Sequence, residues 1–252
     1  MLLALDLGNS SLSVGVFDGE RLIVRTHVPV IDFGTLAQRL SAACGDIDTG
    51  DINRAALASV NPKRDDDVVE AVAELPGACR LVKIGKDLAV PVNARVARID
   101  EVGVDRLLNA LAAFRRERDA CLVVDFGSAV TIDVVSETGD YLGGVIAPGV
   151  RIAADALHKG TALLPKVDLG ASERVIGKDT VACMRSGLYW GTVGAVEGLV
   201  ARVRGEYPAA KRVLATGGDA RLFADVCTVI DEVVPELTLE GIRLTVAAGD
   251  ER

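Results

Sequence analysis

The sequence predicts an α/β fold with mixed sheets, duplicated into two similar domains. Three observations carry that expectation. Asp6-Leu7-Gly8-Asn9-Ser10-Ser11 lies between two apolar runs, and so does Asp125-Phe126-Gly127-Ser128-Ala129-Val130-Thr131. Their acids stand 119 residues apart in a chain of 252, so one phrase opens each half. After each phrase the pattern reads as short strands and then as helical spacing alternating with buried strand runs. The expected division is 1–118 and 119–252, and either half is large enough to bury a core.

In the first half, Leu2 to Leu5 reads as a buried strand, Leu12 to Phe17 as its hairpin partner, and Arg21 to Val28 as a third strand after the Asp18-Gly19 turn. Leu36, Leu40, Ala43 and Cys44 recur at helical spacing within a helix from Asp32, with Asp32 as its cap. Ala55 to Val60 is a parallel strand, Asp65 to Leu75 a helix, Arg80 to Ile84 a strand, and Leu107 to Phe114 a helix. The second half repeats the opening with Cys121 to Val124, Val130 to Val135 and Tyr141 to Ile146, the last following the Thr138-Gly139-Asp140 turn. Helices follow, with Gly170 to Lys178 as a surface loop and Arg212 to Ala215 as a later strand. The longest helix runs from Thr180 to about Tyr207, and Gly187, Gly191, Gly194 and Gly198 form a stripe along one of its faces. Such a stripe packs on the sheet or meets a second copy of the helix, and composition leaves both open.

Half of the residues are hydrophobic, a quarter charged and only 4% aromatic, so the core rests on Val, Leu, Ile and Ala. A formal charge of −8 excludes a surface built to follow phosphate backbones, so nucleic acid is not an expected partner. Five scattered cysteines with no C-x-x-C pair read as reduced, mostly buried side chains. No apolar run reaches membrane-spanning length, and the expected location is the cytoplasm.

The two hairpin phrases suit a metal-bound phosphate. Glycine lets a ligand approach the backbone, hydroxyls and amides donate to phosphate oxygens, and a carboxylate holds a cation. Asp6 can organise Mg²⁺, while Gly8, Asn9, Ser10 and Ser11 face nucleotide phosphates. In the second phrase Ser128 and Thr131 can bond phosphate, and Asp125 ranks above Asp133 as a cation ligand. Asp133 shares a strand face with Thr131, with an exposed strand position as its bland alternative. The glycine-rich ends Gly143 to Gly149 and Thr216-Gly217-Gly218-Asp219 suit close approach of a base or ribose. Gly103-Val104-Asp105-Arg106 precedes a helix, where an Asp and an Arg serve as cap and charge pair. In a kinase acting on a hydroxyl, the same pair accepts the substrate proton and holds an acidic group.

In this order, and across nearly the full chain, these phrases resemble the type III pantothenate kinases, joined by Thr161-Ala162-Leu163-Leu164-Pro165 and by Thr180 to Gly187. The three antiparallel strands followed by alternating helices and strands resemble a ribonuclease H-like half-domain, two of which make the actin-like kinase fold. The resemblance implies ATP-dependent phosphorylation of pantothenate at its primary hydroxyl, the first step towards coenzyme A. It also implies a homodimer, Mg²⁺ and a monovalent cation, K⁺ or NH₄⁺. By position, Asp105 is the proton acceptor, and Gly103, Val104 and Arg106 complete the substrate loop. Thr180 touches substrate from the partner subunit. Asp6, Leu7, Gly8, Asn9, Ser10, Ser11, Leu12 and Ser13 form the phosphate loop, Asp125 holds the monovalent cation, and Ser128 contacts ATP. The chain departs from the family at Ser10 and Ser128, where Thr is usual, and at Val96, where many members carry a Tyr. Two other readings accompany this one: a kinase of another small hydroxylated acid, and a non-catalytic transcriptional accessory homologue.

Overall fold

The computed structural model describes residues 1–45, 47, 49–75 and 79–250. The chain separates into two compact units, one of Met1–Val92, Ala97–Ala112 and Glu236–Arg252, the other of Asn93–Val96 and Ala113–Pro235. This differs from a simple division after residue 118, because the chain's last segment returns to the first unit.

In the first unit, β1 (Leu2–Leu7), β2 (Ser11–Asp18) and β3 (Arg21–Pro29) form an antiparallel meander. The helix α1 (Leu36–Cys44) leads to β4 (Arg54–Ser59), and α2 (Asp65–Ala73) leads to β5 (Arg80–Lys83). β4 pairs in parallel with β1 and β5 in parallel with β4, so the sheet order is β3-β2-β1-β4-β5. The period-2 pattern explains the pleat. Leu3, Leu5, Leu7, Leu12, Val14 and Val16 face a core shared with Leu36 and Leu40 of α1 and Val68 and Val72 of α2. Helix α1 begins later than Asp32: Val30–Thr35 is a 3₁₀ segment, since Val30, Ile31 and Gly34 are poor helix formers. Asp32 caps nothing and instead pairs with Arg39 at 3.0 Å. Helix α3 spans Val104–Glu117 and starts earlier than expected, which draws Asp105 and Arg106 into its first turn.

The second unit repeats the arrangement. β6 (Cys121–Phe126), β7 (Ala129–Val135) and β8 (Tyr141–Pro148) are antiparallel neighbours. They are followed by α4 (Val150–Lys159), α5 (Thr180–Glu206), β9 (Arg212–Thr216), the short α6 (Ala220–Phe223) and β10 (Glu232–Val233). The order β8-β7-β6-β9-β10 matches the first sheet strand for strand, so both are ribonuclease H-like. Leu122, Val124, Phe126, Val130 and Ile132 pack on Leu188, Val193 and Val196 of α5, with Phe126 stacked 5.2 Å from Phe223. Finally α7 (Leu237–Asp250) closes the second face of the first sheet. Leu239, Ile242 and Val246 join Ala4, Phe17, Ala56, Ala58 and Leu108 there.

The glycine stripe of α5 is not packed on the sheet. A Cβ placed at Gly187, Gly191 or Gly194 meets nothing within 4 Å among the described residues. Cys44, Cys121 and Cys227 are buried and Cys183 is exposed. Burial pushes the Cys121 thiol up to about 12 and Cys227 up to about 11, so both behave as inert hydrophobes.

Candidate active site

In the first unit, Asp6 stands near the carboxyl end of β1 and pairs across the sheet with Ser13 on one side and Ala58 on the other. Ser13 pairs with His27, so Ala58, Asp6, Ser13 and His27 form a row on the face that α3 and α7 cover. Gly8 N donates to Ser11 O at 3.0 Å to close the turn, and Asn61 Nδ2 donates to Gly8 O at 3.5 Å. Asn9 and Ser10 are exposed at the tip. The Ser13 hydroxyl lies 3.2 Å from His27 Nδ1, and Arg25 lies 3.2 Å from the other ring nitrogen. Burial and then the Arg25 charge hold His27 below the usual imidazole range, so it is neutral at pH 7. Leu7 and Leu12 belong to the core and are fully buried, so their part in the phosphate loop falls to their backbone groups.

The same end of this sheet receives the start of α3. Val60 N donates to Leu7 O at 3.0 Å, and a Cβ at Gly103 would lie 3.7 Å from Val60 Cγ1. That Cβ would also overlap Asp105 Oδ1, so a larger residue at 103 would displace this carboxylate. Asp105 Oδ1 accepts from Arg106 N at 2.8 Å, and the same N–H donates to Gly103 O at 3.1 Å. Burial pushes the Asp105 carboxyl up, against the pull of the Arg106 backbone N–H and guanidinium. A carboxylate kept partly out of water at a helix start is a competent proton acceptor. Asp6, Ser13, Asp105 and Arg106, remote in sequence, thus share one end of one sheet.

In the second unit, Asp125 pairs with Thr131 of β7 and Thr216 of β9, which sets three oxygen-bearing side chains in a row. Two loops cage the hairpin tip. Gly149 N donates to Ser128 O at 3.1 Å, and Asp219 N donates to Phe126 O at 3.0 Å. Gly217 has φ +94°, and a Cβ there would overlap Asp125 Oδ1 and fall 2.6 Å from the Phe126 carbonyl. Arg151 clasps Asp219 through two bonds of 2.6 and 3.1 Å. Asp133 is not an exposed strand position: it is fully buried and accepts from Tyr141 Oη at 2.9 Å and Thr131 Oγ1 at 3.1 Å. With its proton given to Asp133, the Thr131 oxygen presents lone pairs rather than a donor. Thr180 is exposed in the first turn of α5, behind the cap Asp179, whose carboxylate accepts from Ala182 N at 2.8 Å.

Among the described residues no three His, Cys, Asp or Glu side chains form a metal cluster. Single carboxylates among hydroxyls fit Mg²⁺, which takes one or two carboxylates together with substrate phosphates. They equally fit a monovalent ion held by Asp125 beside the oxygens of Thr131 and Thr216. Sequence reasoning passed over Arg151 and His27, and it weighed Thr216 and Asp219 only as ends of a glycine-rich turn. No short motif in the sequence marks Arg151 or His27.

A family model described as type III pantothenate kinase matches residues 2–202. A type III pantothenate kinase of Dehalococcoides mccartyi is 39% identical, over 96% of this chain and 94% of that protein. The one from Moorella thermoacetica is 40% identical, over 97% and 98%. The inorganic polyphosphate/ATP-glucomannokinase from Arthrobacter sp. strain KM shares the fold at a TM-score of 0.50 and 14% identity, over 98% of each chain.

Proposed function

This chain belongs to the type III pantothenate kinase family, and from that premise we propose that it transfers the γ-phosphoryl group of ATP to the primary hydroxyl of pantothenate. The observation that carries the reading is the meeting of the Asp6 hairpin and Asp105 at one end of one sheet. The hydroxyl oxygen attacks the γ-phosphorus, the bond to the departing ADP oxygen breaks, and Asp105 takes the hydroxyl proton. Arg106 holds the pantothenate carboxylate, with Gly103 and Val104 completing the substrate loop. The backbone and hydroxyls of Gly8 to Ser13 face the phosphates, and Ser128 contacts ATP. Asp6 serves Mg²⁺ and Asp125 serves K⁺ or NH₄⁺, cations that neutralise phosphate charge where the hairpin has no lysine.

The reading includes a homodimer, with Thr180 reaching the partner's substrate. The open part of the α5 glycine stripe supports it, since among the described residues nothing lies within 4 Å of a Cβ at Gly187, Gly191 or Gly194. No described helix is long and apolar enough to cross a membrane, which suits a cytoplasmic enzyme. The test is turnover with ATP, Mg²⁺ and pantothenate in K⁺ or in Na⁺, alongside native mass. K⁺-dependent product from a dimer is expected. Turnover of another hydroxy acid in place of pantothenate redirects the substrate, absence of nucleotide binding removes the kinase reading, and a monomer removes the role of Thr180 in trans.

A further inference from the structure

The amino-terminal end of the first sheet carries a different set of groups. Leu2 pairs with Phe17 on one side and Arg54 on the other, and Arg54 pairs in parallel with Arg80. Paired residues project from one face, so two guanidinium groups stand on neighbouring strands. Arg243 of α7 adds a third over the same face, with its guanidinium 5.9 Å from the centre of the Phe17 ring. These groups line a cavity of about 650 Å³, walled on its apolar side by Leu2, Phe17 and Val246.

Like charges in register are unfavourable unless an anion joins them. Asp250 serves Arg54, through bonds of 2.5 and 2.6 Å. Arg243 is less well served. Among the described residues its one carboxylate within 4 Å is Glu20, 3.9 Å away with a side chain 93% exposed, and its buried Nε has no hydrogen-bond partner. Arg80 makes no ion pair among the described residues, and Asp18, which also lines the cavity, is exposed. A planar guanidinium with a buried, unmatched N–H presents the fork that phosphate oxygens fill. That group on a helix, joined by the exposed Arg80 guanidinium of a strand, suits a tetrahedral dianion better than a planar carboxylate.

We propose that this cavity is a second anion site, which takes a phosphate ester or pyrophosphate group on Arg80 and Arg243 with Phe17 beneath the guanidinium. It is separate from the Asp6 end of the sheet. Leu2 and Asp6 lie four strand residues apart, or about 13 Å along β1. The site does not depend on the kinase reading.

The test is calorimetric titration of the full chain with sodium pyrophosphate, with a non-hydrolysable ATP analogue and Mg²⁺ at saturation to occupy nucleotide-binding groups. One pyrophosphate per chain is expected, weakened tenfold or more in both Arg243→Met and Arg80→Met, with ATP turnover and KM as in the unaltered chain. Arg80 is exposed at a strand end, so its replacement tests binding without disturbing the core. No binding, or equal affinity in the unaltered chain and in Arg80→Met, overturns the proposal.

Discussion

Replacing Asp105 by asparagine keeps the shape of the side chain and removes its charge. The Oδ1 that accepts from Arg106 N at 2.8 Å survives in the amide, so the first turn of α3 keeps its local bond. What disappears is the proton acceptor, and a positioned general base contributes roughly 10²–10⁴-fold, or about 2.7–5.5 kcal/mol of barrier. Pantothenate phosphorylation is expected to fall by that factor with the ATP KM little changed. Stability moves the other way. Burial raises the folded-state pKa of Asp105 above its unfolded value, so the folded chain holds this proton to higher pH. The cost of ionising it in place is absent below the unfolded carboxylate range, grows as pH climbs through the folded pKa, and is constant above that. Asparagine never ionises, so the variant gains stability over the unaltered protein as pH rises through that window. A chain of this size shifts its Tm by about 2–4 °C per kcal/mol, within reach of calorimetry between pH 4 and 8. An activity loss under tenfold, or a Tm difference that does not move with pH in favour of asparagine, would refute the reasoning.

Gly217→Ala forces a methyl onto Asp125 Oδ1 at a φ of +94°, and backbone strain alone costs about 1–3 kcal/mol. A lower Tm and a higher K⁺ requirement are expected, read by thermal melts and a K⁺ titration of turnover. Arg151→Met removes the clasp on Asp219, whose side chain is only 10% exposed. The KM for ATP is expected to rise with that for pantothenate unchanged, and Arg151→Lys to restore part of the loss. Tyr141→Phe deletes a donor to buried Asp133 and is expected to cost about 1.5–3 kcal/mol in urea unfolding. An unchanged midpoint there shows that Asp133 does not depend on the tyrosine.

Strand existence was legible because short apolar runs bounded by turn residues, as in Leu2–Leu7 or Ala129–Val135, are the pattern of strands buried on both faces. The two Asp-Gly hairpins were legible because each acid-glycine-hydroxyl phrase lies between two such runs. Asp105 was read as part of a loop, because a helix start depends on what the first turn packs against, here Val60 of the first sheet. Asp133 was read as a cation ligand ranked below Asp125, or else as an exposed strand position. Its burial follows from its place on β7, between β6 and β8 in the sheet, where Val123 and Gly144 flank it and the Tyr141 hydroxyl donates to it.

Local patterning and ordered motifs therefore determined the α/β class, the duplication, the family and most of the residues worth testing, since those depend on spacing a few residues long. Only the tertiary structure decided that α7 returns to the first sheet, that Leu7 and Leu12 are core, that Arg151 clasps Asp219, and that Arg54, Arg80 and Arg243 gather around one cavity. Each of these joins segments far apart in the chain. Which of the possible partners meet is settled by the burial of apolar faces across the whole unit, and no short stretch of sequence encodes that outcome.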